Sequence, residues 1–141
     1  MMLCAFTIDG RPIPQGSVVA HVKDGRASIH YASGSGLAVW RNQVGAAARE
    51  AWGADNVYGG PMSVELTFRM KRPNSHYRDL RGTLKVGYAS ARPDVMPDLD
   101  KLIRAILDAL TGIVWRDDGQ VVDIIARKVY ASNPGVDIVV S

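Results

Sequence analysis

Apolar and polar positions recur with clear periods over most of the 141 residues, and the period changes along the chain. Residues 2–9 alternate loosely among strand formers and stop at Asp9-Gly10, which predicts a strand and a turn. Residues 17–23 and 26–31 flank Asp24-Gly25, a dipeptide that accepts the positive φ angles of a tight hairpin, and predict two more strands. Leu37, Trp40, Val44, Ala47, Ala48 and Ala51 then fall at helical spacing. A helix is expected to about Trp52, with Arg41, Asn42, Arg49 and Glu50 on its solvated side and Ser33-Gly34-Ser35-Gly36 supplying its cap. Residues 62–70 read as a strand with Val64, Leu66 and Phe68 on one side. Leu102, Ile103, Ile106, Leu107 and Leu110 restore the helical period, and Gly112 stops it. Residues 120–130 and 136–140 are rich in strand formers around Asn133-Pro134-Gly135, and are expected to pair as an antiparallel hairpin.

The length fits one domain, and 47% hydrophobic residues supply it with a core. Cys4 is the only cysteine, so neither a disulfide framework nor a cysteine-rich zinc site is available, and a reducing cytoplasm is the expected setting. His21, His30 and His76 are scattered without the spacing of metal ligands. No signal-peptide pattern is seen, and no apolar run reaches the ~20 residues of a membrane helix.

The net charge of +3 leans only weakly towards an anionic partner, but its distribution is uneven. Arg69, Lys71, Arg72, Arg78, Arg81, Lys85 and Arg92 are seven of the 17 basic residues, opposed in that stretch by Asp79 alone. Residues 71–91 lack a clean period and contain Pro73, Gly82 and Gly87. A loop of this length in a compact domain is usually functional or disordered. His76, Tyr77 and Tyr88 offer flat faces for stacking beside arginines suited to phosphates, which favours a DNA-contacting arm that orders on nucleic acid. A plain solvated loop is the other reading.

Six of the 14 acidic residues lie within residues 97–123, grouped around the second helical stripe. Asp98 and Asp100 precede it, Asp108 lies within it, and Asp117, Asp118 and Asp123 follow. A lone carboxylate at a helix N-terminus is ordinarily a cap, worth about 0.5 to 2 kcal/mol. Two such residues spaced by one, with an Asp-Asp pair returning after a 16-residue excursion, exceed that requirement. If a short turn at residues 114–116 brings the chain back, three or four carboxylates converge, and their repulsion calls for a cation. A basic segment running into an acidic cluster is the arrangement expected when one part grips phosphates and the other holds a metal against one of them.

Pro97-Asp98-Leu99-Asp100-Lys101-Leu102, Asp108-Ala109-Leu110 and Asp117-Asp118-Gly119-Gln120-Val121 together resemble the signature of the RusA family of Holliday junction resolvases. The resemblance implies a RusA-like α+β fold: a single two-layer domain, residues 1–141, with a mixed β-sheet packed against two main helices. It also implies a homodimeric, Mg²⁺-dependent endodeoxyribonuclease, with Mn²⁺ able to substitute, that acts on branched DNA and four-way junctions in recombination and repair. Its setting would be the cytoplasm of a bacterial cell, or of the host for a phage protein. Carried over by position, Asp98, Asp100 and Asp118 are the metal-binding carboxylates and Asp117 is the neighbouring acid. Two positions depart from the pattern. The family often has an asparagine directly after the second aspartate and a functional lysine four residues after it, whereas this chain has Lys101 and Arg104. Arginine binds phosphate but gives up a proton poorly, so Lys101 is the residue placed to take over that role.

On this reading Asp98, Asp100 and Asp118 hold Mg²⁺, which prefers oxygen ligands, and water made more acidic by the ion attacks the scissile phosphate. Lys101 and Arg104 stabilise the added negative charge. An i to i+4 pair of Arg104 with Asp100, worth ~0.2 to 0.5 kcal/mol, is the plainer role for that arginine. Paired cuts in a two-fold symmetric junction match one site in each subunit of a C2 dimer. The apolar face of the first helix, Trp52 and Trp115 are candidate dimer surface, or core. Two other functions stay open: a nuclease for flaps, forks or other branched DNA, and a junction-binding protein that does not cut.

Overall fold

The computed structural model describes residues 3–16, 18–31 and 36–141; the side chains of His21, His30 and Tyr31 lie outside that description. The elements are β1 (Cys4–Asp9), β2 (Val18–Lys23), β3 (Arg26–Tyr31), α1 (Leu37–Trp52), β4 (Met62–Lys71), α2 (Leu99–Leu110), β5 (Val121–Ala131) and β6 (Gly135–Val140). Asp24 and Gly25 take φ of 54° and 73° and join β2 to β3 as a separate hairpin. Gly36 occupies the N-cap of α1 without a side-chain cap, and Ser33 to Ser35, expected to contribute one, lie outside the described residues.

Four strands make one mixed sheet in the order β1-β6-β4-β5, with β4 and β5 parallel and the other neighbours antiparallel. The expected β5–β6 hairpin is therefore incorrect, because β4 lies between its two arms. β4 alternates buried and half-buried positions along nearly its whole length and suits the centre of a sheet. β5 is exposed over residues 122–125 and carries Arg127 and Lys128, a composition suited to an edge. Between Ala131 and Gly135 the chain has only to cross one strand, about 10 Å at the usual strand spacing, and residues 132–134 are long enough to do so.

Both helices pack on one face of this sheet. Trp40, Val44 and Ala48 of α1 and Leu102, Ile106 and Leu110 of α2 are buried with Val64, Leu66 and Phe68 of β4 and Val136, Ile138 and Val140 of β6. Burying a residue of this size contributes roughly 1.5 to 3 kcal/mol, so this layer is the main source of stability. Trp52 and Trp115 belong to the same core, with their ring nitrogens donating to Asn56 O at 2.6 Å and Thr111 Oγ1 at 3.0 Å. The surfaces first considered for a dimer are thus consumed within one chain. A loop after β1 buries Pro12 and Gln15, and Gln15 holds α2: its N donates to Lys101 O at 3.0 Å, and its Nε2 donates to Asp108. That clamp accounts for Asp108 as a structural residue.

Candidate active site

The approach to α2 runs through a cis Met96–Pro97 peptide to Asp98, which occupies the N-cap position with φ −68° and ψ 139°. Its side chain makes no capping bond, although its carbonyl accepts from Leu102 N at 3.1 Å. The ordinary structural use of such a residue is therefore not made, and the carboxylate stays exposed. Asp100 is exposed two residues further on, in the first turn of α2, and accepts from Lys101 Nζ at 2.8 Å, which holds its carboxyl below the usual carboxylate range. Arg104 is exposed, and the ion pair with Asp100 considered for it is absent among the described residues. A further cation braces this end: Lys128 Nζ donates to Val95 O at 2.8 Å and to Pro97 O at 2.9 Å, tying β5 to the helix entrance.

The other acids sit past the far end of α2. Gly112 takes φ 87° and donates to Trp115 O at 2.6 Å, turning the chain. Asp117 then caps a short 3-10 turn, Asp118–Gln120, accepting from Gly119 N at 2.8 Å. Gln120 fastens this turn by accepting from Arg116 N and Asp117 N and donating to Tyr58 O and Gly60 O, all within 3.0 Å. The Gly119 N–H, followed by Asp118, lowers the Asp117 carboxyl. Asp118 is pushed the opposite way by its hydrogen bond with Asp117, then by burial and by the charges of Asp117 and Asp108.

α2 has 12 residues and so is about 18 Å long, with Asp98 and Asp100 at one end and Asp117 and Asp118 beyond the other. The convergence expected from a returning turn does not occur within one chain. Among the described residues no three His, Cys, Asp or Glu side chains gather closely enough to hold a metal ion.

The basic stretch carries a hydrogen-bonded scaffold of its own. Tyr77 and Leu84 bridge across a small hairpin, Arg78 N donates to Thr83 O at 2.7 Å, and Lys85 N donates to His76 O at 2.9 Å. Asp79 closes the tip by accepting from Arg81 N and Thr83 N, and these bonds, the Thr83 N–H foremost, lower its carboxyl. Arg78, Leu80 and Arg81 are exposed around that tip, with Lys85 exposed beyond them. His76 and Tyr88 are not free stacking faces: their rings lie 4.5 Å apart, and His76 meets Tyr130 edge-on at 5.3 Å. Arg72 lies 5.0 Å from the centre of the Tyr130 ring and donates to Tyr88 O at 2.6 Å, so it braces the base of the arm. Arg69, another of the expected DNA contacts, is engaged within the fold. Its side chain, 16% exposed, lies 3.2 Å from Asp9 and 3.3 Å from Asp137 on the open face of the sheet. Lys71 and Arg92 remain exposed.

Between the arm and the helix entrance lies a groove of about 490 Å³ whose charged lining is Arg11, Lys71 and Lys128, with Pro73, Pro97 and Tyr130 among its walls. The sequence reading missed Arg11, Lys128 and Gln120. The signal for Lys128 was an isolated lysine on the inward-facing side of an apolar strand; a lone arginine in a proline loop and a glutamine after an Asp-Asp pair carry no comparable signal.

A small α+β domain with exposed carboxylates beside a cationic groove and a basic hairpin has the make-up of a protein that works on phosphodiesters. The chain matches the family of endodeoxyribonuclease RusA over residues 9–141 and belongs to it. Membership implies endodeoxyribonuclease activity on Holliday junctions. The chain is also 25% identical over 135 residues to the uncharacterised protein YqaN of Bacillus subtilis (strain 168), a similarity covering 96% of this chain and 93% of that one. Among the described residues no helix is long and apolar enough to cross a membrane.

Proposed function

We propose that this protein is a Mg²⁺-dependent endodeoxyribonuclease that resolves Holliday junctions by paired symmetric nicks, working as a homodimer in the cytoplasm of a bacterial cell or a phage host. The observation that carries this reading is the uncapped carboxylate of Asp98 beside exposed Asp100, at the helix entrance tied to the groove-lining Lys128. The donors suit Mg²⁺, which takes oxygen ligands, commonly one or two carboxylates, and leaves other positions to water and substrate phosphate. Asp98 and Asp100 would hold the ion, with Asp118 and its neighbour Asp117 as the further carboxylates. When bound, Mg²⁺ supplies a more acidic water and neutralises charge on the scissile phosphate. Mn²⁺ has the same taste for oxygen and would substitute.

The remaining work falls to side chains. Lys101 and Arg104, on the first turns of α2, are placed to offset negative charge developing at the phosphate. Arg11, Lys71 and Lys128 line the approach, while Arg78, Arg81 and Lys85 on the hairpin, together with Arg92, would bind phosphates of a neighbouring duplex arm. Leu80, fully exposed between two arginines, suits contact with unstacked bases at a branch point.

The separation of the two acidic groups within one chain favours a second reading, a junction-binding protein that does not cut. A labelled synthetic four-way junction with Mg²⁺, followed on all four strands, decides between them. Paired nicks that vanish in Asp100→Asn while binding persists support the resolvase; tight binding with no cleavage by the unaltered protein establishes the binder. Unpaired cuts on flaps and forks as well as junctions would indicate a broader branched-DNA nuclease.

A further inference from the structure

The groove between the basic arm and the entrance of α2 is built by four stretches of chain, residues 11–12, 70–73, 93–97 and 128–134. Gly10 N donates to Pro134 O at 2.9 Å, Lys128 Nζ donates to Val95 O and Pro97 O, and Met70 pairs in register with Tyr130, so all four are tied to one another. Its volume of about 490 Å³ lies in the range of about 300 to 1,000 Å³ usual for pockets that take a small ligand. Five prolines, with Met70, Met96 and Tyr130, make most of its wall. Among the described residues its charged lining is three cations and no acid.

We infer that this groove is a nucleotide subsite, which takes one unpaired deoxynucleotide with its base against the apolar walls and its phosphates on Arg11, Lys71 and Lys128. Proline has no N–H to offer, and the carbonyls of Val95 and Pro97 are already engaged by Lys128, so the walls present apolar surface with few polar groups to satisfy. That suits the flat face of a base. A sugar or a peptide would leave its own polar groups unmatched there. Tyr130 supplies an aromatic wall held in place by Arg72 and His76, and the sulfurs of Met70 and Met96 favour contact with aromatic rings. The three cations call for a negative ligand. Arg11 and Lys71 are exposed and can follow a phosphate, whereas Lys128 spends two of its three N–H donors on carbonyls and keeps the third at a fixed place.

The place of this subsite in the reaction rests on the function proposed above. Pro97 belongs to the groove and Asp98 follows it directly, so a strand with one nucleotide in the groove lays an adjoining phosphate beside that carboxylate. A base within a duplex is costly to take out of its stack, and the cost is least where pairing is already interrupted. The groove therefore sets where a strand is cut relative to the branch, by accepting the nucleotide that is free to leave the stack.

Nucleotide binding is measured first, on the unaltered full chain without metal or junction. The probes are the four deoxynucleoside 3′,5′-bisphosphates, with 1,2-dideoxyribose 3,5-bisphosphate, which lacks the base, as the reference; amide shifts in ¹H–¹⁵N spectra report binding. Stacking of a base on an aromatic side chain tightens binding by about 5- to 150-fold, so at least one nucleotide should bind about fivefold or more tightly than the reference. The shifts should gather on Lys71, Val95, Met96, Lys128 and Tyr130. Equal affinity for the reference would leave only a phosphate contact, and shifts centred elsewhere would empty the groove of its role; either overturns the subsite. Val95→Trp, at a position 59% exposed, fills the groove and should erase the advantage of the base with the unfolding midpoint unchanged. An advantage that survives this change also overturns the subsite, and the titration of the unaltered protein stands whether or not the variant folds. For the place in the reaction, a four-way junction made abasic at one branch-flanking nucleotide at a time is bound in EDTA. One position should weaken binding by about fivefold or more, and Val95→Trp should remove that difference; a uniform response overturns the role at the branch. An unaltered protein that cuts no branched DNA defeats the functional reading instead, and the bisphosphate titration then decides the subsite alone.

Discussion

Replacing Gln120 with alanine removes one side chain that satisfies four backbone groups around the Asp117-Asp118 turn. Its Oε1 accepts from Arg116 N at 2.8 Å and Asp117 N at 3.0 Å, and its Nε2 donates to Tyr58 O at 2.9 Å and Gly60 O at 2.8 Å. Each bond contributes about 1 kcal/mol net, and about 1.5 kcal/mol of side-chain ordering no longer has to be overcome. Only the Gly60 contact is partly buried, so water replaces much of the rest. The expected loss is about 2 kcal/mol. Urea unfolding followed by tryptophan fluorescence should show a lower midpoint with an unchanged slope, because the surface exposed on unfolding is the same. Junction cleavage measured well below that midpoint should also fall, since the turn that presents Asp118 is no longer fixed. A loss under about 0.5 kcal/mol would mean that the turn is held by its capping aspartate and not by this glutamine.

Asp98→Asn should abolish Mg²⁺-dependent cleavage and leave the unfolding midpoint where it was, because the Asp98 side chain makes no capping bond to lose; a clear drop in the midpoint would return the residue to a structural role. Arg69→Ala should lower stability by about 1 to 2 kcal/mol by leaving Asp9 and Asp137 without their cation, with DNA affinity unchanged in a salt titration. Arg81→Ala should do the reverse, reducing the slope of log affinity against log salt by about 1 with the midpoint intact. Asp79 is held below its ordinary value by the arm's own N–H groups, so the closure it contributes is present above that ordinary value and is lost as the pH falls through the lowered one. Amide exchange of Arg81 and Thr83, corrected for intrinsic rates, should therefore speed up only well below pH 4 or so, and at all pH values in Asp79→Asn; unchanged protection in that variant would refute the tip closure.

What could be read from residue order alone was the content of the elements, and what could not was their neighbours. The alternation of Val64, Leu66 and Phe68 and the stripe of Leu102, Ile106 and Leu110 each follow from a period that a short segment carries by itself. The place of β4 between β5 and β6 depends on which strand best tolerates an edge, a comparison made across the whole sheet. At the candidate site, an excess of carboxylate at the entrance of α2 was legible, because two such residues before an apolar stripe exceed what a cap needs, and the Asp98 side chain makes no capping bond. Convergence with Asp118 was not legible, because it turned on whether the chain after Gly112 doubles back along α2; instead it continues into the Asp118–Gln120 turn beside Tyr58 and Gly60. The contacts of Arg69, Arg72 and His76 within the fold were not legible for a related reason: charge and aromaticity show in sequence, but the partners that engage them, Asp137 and Tyr130, lie far along the chain.

The insertion of β4 between β5 and β6 also sets the order in which this protein can be made. β1 finds its only neighbour in β6, and β4 finds both of its neighbours in strands synthesised after it. While a ribosome is still translating α2, no two strands of the main sheet that will become partners have both been made. The helices must wait as well, because the surface that buries Trp40 and Leu102 does not yet exist. β4 can pair with β5 once that strand is made, but the sheet is completed only with β6, which joins β1 to β4, with a high cost in long-range loop closure and a correspondingly slow rate for a domain of this size. For a DNA-cutting chain this has a protective side: a truncated translation product would carry the carboxylates and the basic arm without the sheet that places them.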